Sequence, residues 1–127
     1  MERRAFLTAV GAIGLGGAFQ PAFAEPYPSG VIRIIVPYSA STPPDILARI
    51  IATALSDGEG WKVVVENKPG AVMTIGVVEA LRQPADGYTL LSVTAPIAAV
   101  PALLPNASFN IETDFVPLIQ VLTRLSV

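Results

Sequence analysis

Three short apolar runs, each about a helix's length from the next, restrict the folds open to this chain: Val31-Ile32-Arg33-Ile34-Ile35-Val36, Lys62-Val63-Val64-Val65-Glu66 and Tyr88-Thr89-Leu90-Leu91-Ser92-Val93. Their β-branched content favours strands, and the first, stopped by Pro37, has the continuous apolar character of a strand buried on both faces. The runs start near residues 31, 62 and 88, separations of 31 and 26 residues that suit parallel strands joined by helical crossovers. The expected unit is β-α-β-α-β, an α/β chain with a mostly parallel sheet and flanking helices.

The segments between the runs support this. Leu47, Ile50, Ile51, Ala54 and Leu55 follow the i, i+3, i+4, i+7, i+8 spacing of an amphipathic helix. Thr42 is its candidate N-cap, Pro43 occupies the first helical position, Asp45 stands where a capping box places an acid, and Gly58 and Gly60 mark its end. After a Pro69-Gly70 turn, a shorter helix is expected from about Ile75, with Thr74 as N-cap and Pro84 as terminator. Asp86-Gly87 is a turn into the third run, and Tyr88 is expected to pack within that strand. Pro96, Pro101 and Pro105 reduce the next stretch to short helical turns, and Pro117 to Leu122 is a candidate fourth strand. Arg33 is expected at the solvated start of the first strand, and Trp61 as core or interface filler. The apolar end, Thr123 to Val127, suggests a fragment, because such a segment should lie against something.

Residues 1–24 have the layout of an export signal. Arg3 and Arg4 precede an apolar stretch from Ala5 to Phe19, and Ala22-Phe23-Ala24 forms an A-x-A cleavage site. Arg3-Arg4-Ala5-Phe6-Leu7 also resembles the twin-arginine pattern. The stretch is shorter than the roughly 20 residues that cross a bilayer, so no membrane insertion is expected after cleavage. The expected organisation is a signal at 1–24 and a partial α/β lobe at 25–127, periplasmic or extracellular after export. With 52% hydrophobic and 14% charged residues the chain is globular in composition. Loss of Glu2, Arg3 and Arg4 with the signal leaves six basic and nine acidic residues, a net charge of −3, without the basic footprint of nucleic-acid binding.

The sequence has no Cys and no His, which excludes thiolate nucleophiles, Cys/His metal sites and a histidine base. No cofactor or metal site is expected, and the serines lie in no nucleophile-elbow motif. Binding is therefore the better class. In open parallel sheets, ligands sit beyond the carboxyl ends of the strands. Two loops qualify. Tyr38-Ser39-Ala40-Ser41-Thr42 leads into the first helix, where free N–H groups, the helix dipole and the Ser39, Ser41 and Thr42 hydroxyls would favour a carboxylate; the alternative is that Thr42 only caps the helix and Ser39 and Ser41 are solvated turn residues. Thr94-Ala95 follows the third strand. Asp45 is expected to have a structural role, with binding of a ligand amine or simple solvation as alternatives.

In order and spacing, several segments resemble the extracytoplasmic solute-binding proteins of tripartite tricarboxylate transporters, the Bug family. They are Tyr27-Pro28-Ser29, Ile32 to Tyr38, Asp45 to Arg49, Val63 to Ala71, Ile75-Gly76, Asp86 to Leu91, Pro101 to Pro105 and Asp114 to Pro117. The resemblance implies the first lobe of a type II periplasmic-binding-protein-like two-lobed fold, truncated here. It also implies a small organic acid as ligand and membrane permease subunits as partners. It assigns ligand binding to Tyr38, Ser39, Ala40, Ser41, Thr42, Asp45, Thr94 and Ala95. This chain departs from the family pattern where Ser41-Thr42-Pro43-Pro44 replaces a Gly-Gly pair, where Val72-Met73-Thr74 replaces glycines, and where Val100 replaces an Asn. The prolines remove two N–H donors from the expected anion site. The leading expectation is a carboxylate-binding component of such a transporter that catalyses no reaction. The alternatives are a non-binding remnant of such a protein and, more distantly, a secreted hydrolase.

Overall fold

The structure, a computed structural model, describes residues 24–122; the rest of the expected export signal and residues 123–127 lie outside it. Strand β1 (Ile32–Val36) is central in a three-stranded sheet of order β2-β1-β3, with β2 at Val63–Asn67 and β3 at Thr89–Leu91. Both pairings are parallel: Ile32 stands opposite Val63, and Arg33 opposite Thr89. Helix α1 (Pro43–Glu59) joins β1 to β2, and α2 (Thr74–Leu81) joins β2 to β3. The chain steps one way from β1 to β2 and then back across β1 to reach β3. Because parallel crossovers are right-handed, this reversal puts α1 and α2 on opposite faces of the sheet.

Two clusters fill those faces. Ile34 and Val36 pack with Ala48 and Ala52 of α1, flanked by Tyr38, Val63, Val65 and Leu90. On the other face Val77 of α2 packs with Ile97, Val100 and Phe109, which belong to a 3₁₀ turn (Ala95–Ala99), the short helix α3 (Val100–Leu103) and the segment after it. Full burial of each Ile, Val or Phe side chain in these clusters contributes about 1.5–3 kcal/mol. α2 comes very close to the exit of β1: a Cβ on Gly76 would lie 2.7 Å from Pro37 Cβ and 2.9 Å from the Lys68 carbonyl oxygen, so glycine is required there. At the amino ends of the strands, the Tyr27 hydroxyl donates to the Gly87 carbonyl, and the Tyr88 hydroxyl accepts from the Ser29 N–H. The Tyr27 ring also meets Trp61 edge-on. Trp61 and Tyr88 thus stitch the N-terminal segment to the sheet, at the end opposite the candidate loops.

Several local expectations are corrected. The buried stripe of α1 runs through Asp45, Ala48 and Ala52, while Ile50 is 60% exposed. The small alanines let the helix settle close to β1, and that close approach outweighs the larger apolar residues one position away. Thr42 is the N-cap of α1 by backbone geometry, yet its hydroxyl donates to the Ser39 carbonyl (2.7 Å) and makes no capping bond. The Thr74 hydroxyl does not cap α2; it lies inside that helix's first turn, buried without a partner. Arg33 does not sit at a solvated strand start. It lies within the central strand and forms a two-pronged bond to Glu66, both contacts 2.8 Å, with Gln83 on a third nitrogen. This pairing holds the Glu66 carboxyl below its ordinary pKa, the Arg33 hydrogen bonds being the largest cause. Residues 117–122 form no strand. The Gly60 end of α1 is as expected: left-handed, with its N–H on the Ser56 carbonyl and the Trp61 N–H on that of Leu55.

Candidate ligand-binding site

The reversal of strand order falls between β1 and β3, and open α/β sheets place ligand sites beyond the carboxyl ends of strands at such a point. The two loops selected from the sequence meet there. The Tyr38 and Thr94 hydroxyls lie 2.6 Å apart, joining the loop after β1 to the loop after β3. One of their two protons makes that bond, and the other is left to donate elsewhere. Thr94 is itself exposed, and Ser39, Ala40, Ser41 and Ala95 are exposed beside the pair.

The bend is secured from behind. Asp45, only 2% exposed, accepts the Ser41 N–H at Oδ2 (2.8 Å), the Asn67 amide at Oδ1 (2.8 Å) and the Arg49 Nε on both oxygens (3.1 Å each). Asn67 also donates to the Tyr38 carbonyl (3.1 Å) and accepts from Arg49 (2.9 Å). The Arg49 hydrogen bond, then those of Asn67 and the Ser41 amide, hold the Asp45 carboxyl at about 2. Burial and these bonds give Asp45 a structural position, and its charge is offset by Arg49. Ser41 itself has φ +67°, a left-handed conformation that costs a non-glycine residue about 1–2 kcal/mol, so its bond to Asp45 helps to hold a strained backbone.

The anion-binding potential of the bend is smaller than the sequence suggests. Pro43 and Pro44 carry no N–H, the Ser41 N–H turns inward to Asp45, and the Thr42 hydroxyl is committed to Ser39. Among the described residues, the amides of Ser39, Ala40, Thr42 and Ala95 bond to no other group of the chain. They remain as donors, together with the Ser39 and Ser41 hydroxyls and the spare proton of the Tyr38–Thr94 pair. Two open surface grooves of about 240 and 260 Å³ lie elsewhere, one lined by Ala71, Thr74 and residues 104–108, the other by Ala98, Pro101 and residues 109–112. No cluster of three or more acidic side chains able to share a metal ion occurs among the described residues.

Sequence reasoning gave Asn67 no role. Its signal was a β-unfavourable residue ending an apolar strand just before Lys68-Pro69-Gly70, on the strand that parallel pairing sets beside the β1 exit.

The parallel α/β layout is that of periplasmic binding proteins, and comparison with known proteins agrees. The family model described as TctC, Tripartite tricarboxylate transporter family receptor, matches residues 47–127, and the chain belongs to this family. It is 38% identical over 111 residues to Protein BugT of Bordetella pertussis, an alignment covering 86% of this chain and 34% of that protein. A solved structure described as a periplasmic transporter is 46% identical with a TM-score of 0.58, over 63% of this chain and 27% of that one. MatC from Rhodopseudomonas palustris, solved with bound malate, is 27% identical with a TM-score of 0.66, over 72% of this chain and 31% of that one. The chain thus spans about a quarter to a third of the length of the curated relatives it matches. The family model matches from Leu47 onward, while the alignment to BugT, covering 86% of this chain, also takes in the bend from Tyr38 to Asp45.

Proposed function

We propose that this chain is the solute-binding part of a tripartite tricarboxylate transporter receptor. It is exported by the signal at residues 1–24 and catalyses no reaction. It holds a carboxylate of a small organic acid between Tyr38–Thr42 and Thr94–Ala95 and passes the acid to membrane permease subunits. The observation that carries this reading is the 2.6 Å contact of the Tyr38 and Thr94 hydroxyls at the point where strand order reverses. It brings two loops 56 residues apart into one donor surface. A carboxylate offers acceptor sites on two oxygens, which suits this set of hydroxyls and amides. The Asp45–Arg49 pair leaves the ground beneath the bend locally neutral, so the net negative charge of the chain does not preclude an anion there.

The malate bound to MatC makes malate the first probe, followed by succinate and citrate. Thermal unfolding of the chain with each acid tests the reading. A ligand at about 100 times its dissociation constant stabilises by about 2.7 kcal/mol. Tyr38→Phe and Thr94→Val should each diminish the shift. A folded chain whose melting temperature no acid moves would refute carboxylate binding.

That negative result would favour a second reading, a family member that keeps the fold without holding a ligand. Specific features support it: Pro43 and Pro44 lack donors, and the Ser41 N–H turns inward.

A further inference from the structure

We propose that Asn67 is the positioning residue of the binding bend: from the end of β2 its carboxamide ties the Tyr38 carbonyl to the Asp45 carboxylate and, with Arg49, fixes the Ser39–Thr42 backbone in one conformation. The inference rests on the reading of the bend as the ligand site. Asn67 contributes no contact to the donor surface itself. It acts through the groups that do, and both ends of its amide are used.

The chemistry of the three partners leaves little freedom in the choice of residue. The Tyr38 carbonyl and the Asp45 carboxylate are acceptors only, so the group between them must present two N–H donors. The Arg49 guanidinium is a donor only, so the same group must also present an acceptor. A primary amide has this combination. An aspartate of the same shape would set oxygen against oxygen at both acceptors while keeping the arginine contact. A serine, too short to span them, would leave the bend untied.

Through Tyr38 the bond reaches the ring whose hydroxyl meets Thr94, and through Asp45 it reaches the Ser41 N–H that holds the left-handed turn. Register explains the placement. Asn67 pairs with Val36, the last residue of β1, so its side chain lies beside the backbone as it leaves the sheet.

Asn67→Asp, with Asn67→Ser as the alternative should the first variant fail to fold, is to be compared with wild type by site-resolved amide exchange. Positioning predicts that exchange at Ser41 rises about tenfold, the result of leaving buried acceptors unmatched, while Ile34 and Ile35 in β1 are unchanged. A purely structural role would raise exchange at Ser41 and in β1 together. That outcome, or no change at Ser41, would overturn the proposal.

Malate binding provides the second arm, with the variant expected to bind about tenfold more weakly than wild type. Equal malate affinity in both proteins would also overturn the positioning role. If neither binds malate, the carboxylate reading fails for that acid and the exchange pattern alone decides the role of Asn67.

Discussion

Asp45 couples the bend after β1 to pH. Its carboxyl titrates at about 2 in the folded chain, against 3.8 for an unperturbed aspartate, because the Arg49, Asn67 and Ser41 bonds favour the charged form. A lowered folded-state value means that the stabilising contribution is fully present above the unfolded value and is lost as pH falls through about 4 towards 2. Acid unfolding followed by circular dichroism should therefore show a decline in wild type across this window that is weaker in Asp45→Asn. Backbone strain supplies a second prediction. Ala71, Val72 and Met73 have φ of +45°, +52° and +70°. Val72 is exposed and β-branched, so Val72→Gly should relieve left-handed strain at little cost in burial and stabilise by about 1 kcal/mol in chemical denaturation.

At the scale of elements, α1 is the sharpest contrast between periodicity and packing. Leu47, Ile51 and Leu55 flank the buried stripe as the pattern requires, but the contact line itself is Ala48 and Ala52 against Ile34 and Val36. Ala48→Leu should overpack this interface and cost about 1–3 kcal/mol. Ile50→Lys, a change that the apolar pattern would rank as worse, should stay within about 0.5 kcal/mol of wild type. Denaturant midpoints of the two variants check both expectations, and a severe loss with Ile50→Lys would mean that the helix is rotated from the orientation described. The positions of all three strands and both crossover helices were legible because each depends on local periodicity and on Pro and Gly punctuation. The caps were legible only in part: the Gly60 end of α1 formed as expected, but Asp45, instead of closing a capping box, bonds the Ser41 N–H, Arg49 and, across the chain, Asn67.

For the whole molecule, the order β2-β1-β3 leaves the outer edges of β2 and β3 without strand partners among the described residues. Residues 116–122 add an exposed apolar ribbon, with Val116 83% and Ile119 82% exposed. Such surfaces favour association. Leu118→Ser combined with Ile119→Thr should leave stability within about 0.5 kcal/mol while raising the concentration at which the chain stays monomeric, as read by light scattering. A large loss of stability would show that these side chains pack against the fold.

While the strand expected at 117–122 did not form, the sequence by itself determined the three sheet strands, the two crossover helices and the turns between them. Each of these follows from residues within a few positions of one another. Only the tertiary structure decided that Tyr38 meets Thr94, that Asn67 stands behind the bend, that Arg33 grips Glu66, and that the Ser41 amide faces inward. Most of those partners lie 29 to 56 residues apart, and they are joined by strand order and register, which arise when two helices pack on opposite faces of one sheet. The Ser41–Asp45 bond is local in sequence, yet the buried position of Asp45 that makes it favourable is a consequence of the same packing.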